Sequence, residues 1–165
     1  MLPDPTQFLS RLFANLPGQP SDYDHLPIDH LCYRTATAGE YVNLRNALSE
    51  QHELLVESTI GGRPIATFRL SGPIVYGDRR IPLVELPAPK PGSPYPTGWE
   101  HAEFVTDRPL AAFARYLTDE LGVATTDLDR SGLHKARNAD LRLRFADGSG
   151  VKFHEQALDV VIAGE

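Results

Sequence analysis

The spacing of apolar positions changes several times along this chain, and each change marks an element. Phe8, Leu9, Leu12, Phe13 and Leu16 recur at helical spacing, which predicts an amphipathic helix over residues 5–16, ended by Pro17-Gly18. Residues 20–27 read as a polar loop. From Ile28 to Thr35 the period falls to two, the pattern of a strand. A helix over 38–50 follows, with Tyr41, Leu44, Ala47 and Leu48 on one stripe. Three strands come next, over 54–60, 63–70 and 80–86. Gly61-Gly62 supplies a hairpin turn and Ser71-Gly72-Pro73 a break.

The proline-rich segment 87–97 reads as a linker, and beyond it the pattern restarts. A strand over 99–106 leads through Asp107, a helix-capping residue type, into a helix over 108–121 that Gly122 stops. A strand over 123–127 and a polar loop over 128–140 come next. Strands over 141–145 and 151–155 flank the turn Asp147-Gly148-Ser149-Gly150, and a short helix over 156–162 closes the chain. Both halves read βαβββ. The expected fold class is α+β: paired βαβββ modules, about 27–87 and 98–155, forming a curled mixed sheet around a cleft. The whole of 1–165 would be a single domain, with the N-terminal helix packed outside.

The repeat singles out the candidate chemistry. Ile28-Asp29-His30-Leu31-Cys32 and Trp99-Glu100-His101-Ala102-Glu103 share one shape, which makes His30 and His101 equivalent residues and the leading pair of metal ligands. Alternation puts His30, Cys32 and Arg34 on one face of the first strand. It puts His101, Glu103 and Val105 on one face of the fifth, with Glu100, Ala102 and Phe104 on the other. Glu85 ends its strand 55 residues after His30, and its counterpart falls in the strand Val151-Lys152-Phe153-His154-Glu155. With Val151 and Phe153 turned to the core, Lys152 and His154 face the site, while a bulge at the strand end would bring in Glu155. Mixed imidazole and carboxylate donors suit zinc, iron, manganese or nickel. The predicted ligands of a divalent metal are therefore His30, Glu85, His101 and His154. Cys32 reads as a small buried side chain. His25, His52 and His134 read as surface residues.

Composition narrows the partners. The chain is 41% hydrophobic and 23% charged, with a formal net charge of -6, which argues against nucleic acid and anionic membranes as partners. No apolar run reaches the length of a membrane span, and Met1-Leu2-Pro3-Asp4-Pro5 lacks the character of a signal peptide. One cysteine excludes an internal disulfide framework and fits the cytoplasm. A Ser-His-Asp nucleophile elbow, a phosphate-binding glycine loop and a dinucleotide fingerprint are all absent from the sequence. The expected assembly is a monomer or homodimer.

Paired βαβββ modules, each with a histidine on its first strand and an acid on its last, resemble the vicinal oxygen chelate superfamily of glyoxalase I, extradiol dioxygenases and bleomycin-resistance proteins. The segments Asp29-His30, Gly62-Arg63-Pro64-Ile65, Val84-Glu85-Leu86-Pro87, Gly98-Trp99-Glu100-His101 and Lys152-Phe153-His154 are, more closely, similar to the YecM family of metal-binding proteins. The resemblance implies two half-barrels around a divalent metal, with His30, Glu85 and His101 at three ligand positions. The fourth position of the superfamily is usually glutamate; here Lys152, His154 or Glu155 stands in that strand.

These features lead to an expected function: metal-dependent isomerase, lyase or oxygenase chemistry on a small oxygenated metabolite. The alternative is a protein that sequesters a small ligand in the same cleft. Glu103 lies ~7 Å along the strand from His101 and on its face, which makes it the candidate general base. Its other readings are to orient a ligand histidine or to neutralise an arginine. Arg34 and Arg69 are the candidate substrate-binding residues, because guanidinium groups pair with carboxylate or phosphate and so favour an anionic ligand.

Overall fold

The two histidine-bearing strands, β1 (Ile28–Arg34) and β5 (Gly98–Val105), run antiparallel side by side at the centre of one sheet. Beyond β1 stand β4 (Arg79–Pro87), β3 (Arg63–Tyr76) and β2 (Glu53–Ile60). Beyond β5 stand β8 (Gly150–His154), β7 (Leu141–Arg144) and β6 (Leu128–Asp129). The strand order is β2-β3-β4-β1-β5-β8-β7-β6. Each first strand is parallel to the last strand of its own half, β1 to β4 and β5 to β8, and the remaining pairs are antiparallel. This computed structural model, which describes residues 1–164, therefore has the mixed, curled sheet that the repeat predicts. Glu165 lies outside the described residues.

Among the described residues four α-helices accompany the sheet: α1 (Thr6–Asn15), α2 (Ala38–Ser49), α3 (Leu110–Arg115, continued by a π-turn over Tyr116–Glu120) and α4 (Leu158–Ala163). A helix of 10 residues such as α1 is unstable alone, and its amphipathic face resolves this by burying Phe8, Leu9, Leu12 and Phe13. The Phe13 ring stacks 5.6 Å from Tyr76 and meets Phe104 edge-on at 6.1 Å. Each such side chain contributes about 1.5–3 kcal/mol on full burial, enough to hold the helix against the sheet. Phe104 and Phe153, adjacent on paired strands, continue that core toward Phe113 of α3. The opposite face of the central strands is left to the cleft. No helix among the described residues is long and apolar enough to cross a membrane.

Local chemistry sets the element ends. Thr37 accepts the Glu40 backbone N–H at 3.1 Å, and Glu40 accepts the Thr37 N–H at 3.0 Å, a reciprocal cap that starts α2. Glu40 also accepts the Thr97 hydroxyl at 2.8 Å and so fastens the end of the linker to the first half.

Three expectations need correction. Ser71-Gly72-Pro73 does not end β3. Pairing slips between Arg69 and Ile74 and then resumes, so the expected break is an irregularity inside one long strand. The strand expected over 123–127 is absent, and the short β6 forms at Leu128–Asp129 instead. Val123 instead follows Gly122, which has a positive φ of 72°, and turns into the core. Asp107 does not cap α3. Pro109 occupies the cap position and moves the helix start to Leu110, whose N–H is taken by Glu155 Oε1 at 2.7 Å. Asp107 pairs with Arg108 instead.

Candidate metal centre and its cleft

Two bulges build the centre. Across β1 and β5, Ile28 faces Phe104 but His30 faces Glu103, so Asp29 is an extra residue on β1. Cys32 faces His101 but Tyr33 faces Trp99, so Glu100 is the extra residue on β5. Each bulge falls on the acid that precedes a candidate histidine, and a bulge re-aims the side chain it carries. Strict alternation would have sent Glu100 away from His101. The bulge instead places its Oε2 2.7 Å from His101 Nδ1, just as Asp29 Oδ2 lies 2.8 Å from His30 Nδ1. Each Nδ1–H donates to its carboxylate, which leaves both Nε2 atoms directed inward.

The two Nε2 atoms look onto one carboxylate. Glu103 Oε1 lies 3.3 Å from His30 Nε2 and 3.1 Å from His101 Nε2, and it accepts the Lys152 ammonium at 2.5 Å. Glu103 Oε2 lies 3.5 Å from His154 Nε2. Burial alone would push the Glu103 carboxyl upward, but the Lys152 and His30 charges override it and hold it well below the usual carboxylate range. For His30, burial opposes a charge, yet Glu103 and Asp29 together push it up to about 10. Glu103 therefore pairs with Lys152 and not with an arginine, which was one of its alternative readings.

One atom each from His30, Glu85 and His101 come within 4.8 Å of one another. Metal–ligand distances of ~2.1 Å place neighbouring donors ~3–4 Å apart, so a small inward movement completes such a set. His30 Nε2 is buried and faces Glu103 Oε1 at 3.3 Å, so a metal held here would take the place of the His30 proton. Two imidazoles and a carboxylate thus fit a divalent ion.

The other sequence candidates divide. His154 stands with Asp29 and His30 rather than with Glu85 and His101, and its Nδ1 bonds the Gln156 carbonyl. Glu155 is occupied at the start of α3. Arg34 lines the cleft, 2.6 Å from Glu100 and 4.2 Å above the Tyr95 ring. Arg69 does not line it; its guanidinium pairs with Glu53 and with Asp159 of α4. Cys32 is buried beside the trio, and burial followed by Glu85 pushes its thiol well up, which disfavours the thiolate a metal needs.

The cleft measures about 700 Å³, within the range of small-molecule sites. Leu158, Val161 and Ile162 of α4 give it an apolar wall, a role the sequence pattern did not signal. Lysines and arginines outnumber aspartates and glutamates two to one along its lining, in a chain that is acidic as a whole. No carboxylate among the described residues lies within ion-pair distance of Arg63, Lys90 or Arg144 in that lining. Arg63 donates instead to the Ala88 carbonyl and the Tyr95 hydroxyl. The loop before β7 is clamped by Asp140, which accepts from Arg142 Nε at 2.5 Å and from Lys135. Burial pushes the Asp140 carboxyl up, but these two cations hold it below the usual value. A folded-state value below the unfolded one (about 3.9) means stability that is present above pH ~4 and lost as pH falls through the folded value. Asp140→Asn is expected to cost about 1–3 kcal/mol at pH 7, with variant and wild-type unfolding curves converging in acid. A constant gap from pH 7 to pH 3 would contradict this.

Two four-stranded halves meeting at β1 and β5 form a paired-module fold of the kind seen in vicinal oxygen chelate proteins. The chain belongs to the YecM family, whose model, described as YecM protein, matches residues 1–165. The chain is 32% identical to Protein YecM of Escherichia coli, over 85% of this chain and 79% of that one. It is 33% identical to an uncharacterized protein of Haemophilus influenzae, over 51% of this chain and 44% of that one. Among solved structures, one named "Structural Genomics, Protein EC4020" is similar with a TM-score of 0.75 and 28% identity, covering 97% of this chain and 86% of that one. Methylmalonyl-CoA epimerase from Mycobacterium tuberculosis is similar with a TM-score of 0.55 over 84% of this chain and 92% of that one. At 17% identity that likeness is one of fold alone.

Proposed function

We propose that the protein holds one divalent metal between His30, Glu85 and His101 and acts on a small, anionic, oxygenated metabolite by isomerase, lyase or oxygenase chemistry. The observation that carries this reading is the matched pair of bulged acids, Asp29 and Glu100, each fixing one histidine so that its Nε2 faces the cleft. In this reading the half-modules of about 27–87 and 98–155 act as one domain, because the donors come from both. Bound there, the metal supplies Lewis-acid stabilisation of a substrate oxygen. Glu103 takes a proton from the substrate through Oε2, the oxygen that Lys152 and the two facing histidines leave less engaged. Arg34 helps hold the anion from the cleft wall, and the apolar residues of α4 exclude water from that side.

A second reading is supported by one specific feature. Glu103 and Lys152 satisfy each other, and the histidines face that same carboxylate, so the cluster is electrically closed by its own side chains. Such a cluster has little call for a metal, and the cations Arg63, Lys90 and Arg144 elsewhere in the cleft suit a protein that retains an anion without turning it over. The deciding experiment is turnover of α-hydroxy carbonyl compounds, 2-oxo acids and catechols by metal-loaded wild type and Glu103→Gln. The expected result is turnover in at least one class, reduced roughly 10²–10⁴-fold in Glu103→Gln with metal retained. Binding without turnover across the panel would favour retention.

A further inference from the structure

The sheet register identifies which residue stands at the fourth position of the site. His30 faces Glu103, and Cys32 faces His101. Exchanging the two halves therefore maps His30 onto His101 and Cys32 onto Glu103. In the first half Cys32 pairs with Glu85, and in the second Glu103 pairs with Lys152. Lys152 is thus the counterpart of Glu85, and it presents a cation where the symmetric half presents a ligand. Its ammonium lines the cleft beside the trio, 2.5 Å from Glu103 Oε1. His154, two residues further along β8, lies beyond this position, near Asp29.

We propose that Lys152 anchors the substrate: its ammonium binds the carboxylate of a short 2-hydroxy or 2-oxo acid whose neighbouring oxygen faces His30, Glu85 and His101. The inference rests on the metal reading above and narrows its substrate class. Three arguments support it. An ammonium cannot be a ligand, so a metal held here has three protein donors and coordination positions left for substrate oxygens. Lys152, His30 and His101 all contact one oxygen, Glu103 Oε1, at 2.5, 3.3 and 3.1 Å, which keeps the cation and the two histidine donors within the span of a two- or three-carbon acid. A lysine is a rotatable point charge with three donors, so it can keep Glu103 while also contacting an anion in the cleft.

Glycolate and its neutral amide, glycolamide, are the probes. Binding of each is measured by calorimetry on zinc-loaded wild type, Lys152→Arg, Lys152→Met and the double variant Lys152→Met/Glu103→Gln, with metal content determined in every sample. The double variant removes both charges and guards against a fold lost through an unpaired Glu103. Wild type is expected to prefer glycolate over glycolamide at least tenfold. Lys152→Arg should retain that preference, and both variants lacking the cation should lose it while retaining zinc. A folded variant without the cation that still prefers glycolate to the wild-type extent would overturn the assignment. If wild type holds none of zinc, manganese, nickel or ferrous iron, the metal reading fails. The same four proteins, titrated without metal, then test Lys152 as an anion anchor separately, and an unchanged preference would again overturn it.

Discussion

His101→Gln is expected to abolish stoichiometric metal binding, and the two acids behind the histidines are expected to modulate it. His101 is the side chain of the trio contributed by the second half, so its loss leaves His30 and Glu85 from the first half alone. Two donors on adjacent strands cannot enclose an ion that prefers four or more ligands. Asp29→Asn and Glu100→Gln keep the donors but weaken the contacts that fix them at 2.8 and 2.7 Å, and each should cost about 10–100-fold in affinity. Thermal unfolding with added metal reads both effects. A metal present at 1,000 times its dissociation constant stabilises by about 4 kcal/mol, which for a chain of this size raises Tm by roughly 8–16 °C. Wild type should show that shift with at least one of zinc, manganese, nickel or ferrous iron. The two acid variants should show it only at higher metal concentration, and His101→Gln should show none. A wild-type Tm unmoved by all four metals, or moved equally in His101→Gln, would remove the metal centre from consideration.

The paired architecture was legible because a repeat is seen twice. His30 and His101 stand on matching strands in sequence and on adjacent strands in space, so a comparison of two short segments located the centre of the sheet. Glu85 was legible from strand parity, which held through β4. Parity failed at Glu100, because a bulge inserts a residue and reverses the alternation, and nothing in apolar spacing marks a bulge. An acid directly before each histidine in both halves was the available signal, and its meaning emerges only once the register is known. Lys152 shared its face with His154, so parity left both open, and pairing with Glu103 separates them. Arg69 illustrates the opposite case. Its strand and face were read correctly, but α4 supplies Asp159 to its guanidinium, and a contact between residues 69 and 159 leaves no trace in either local pattern. The apolar wall from α4 was hidden for the same reason.

Lys152→Met is expected to destabilise the protein by about 3–5 kcal/mol in the absence of metal, and adding Glu103→Gln is expected to recover most of that loss. The Glu103 side chain is 5% exposed, and Lys152 is its nearest cation. Removing one member of a buried pair leaves the other charge without its partner, which costs several kcal/mol, whereas removing both charges is often close to neutral. Glutamine keeps the shape of Glu103 and can still hydrogen-bond His101, so the double variant loses the charge without opening a cavity. With ~2–4 °C per kcal/mol for a chain of this length, the single variant should unfold at least ~6 °C below wild type and the double variant within a few degrees of it. Urea unfolding of the four proteins in the cycle isolates the coupling between the two residues, because the two side chains are in direct contact and their effects cannot add. A coupling energy near zero would mean that the three histidines around Glu103, rather than Lys152, carry its charge. The assignment of Lys152 would then have to rest on the glycolate measurement alone.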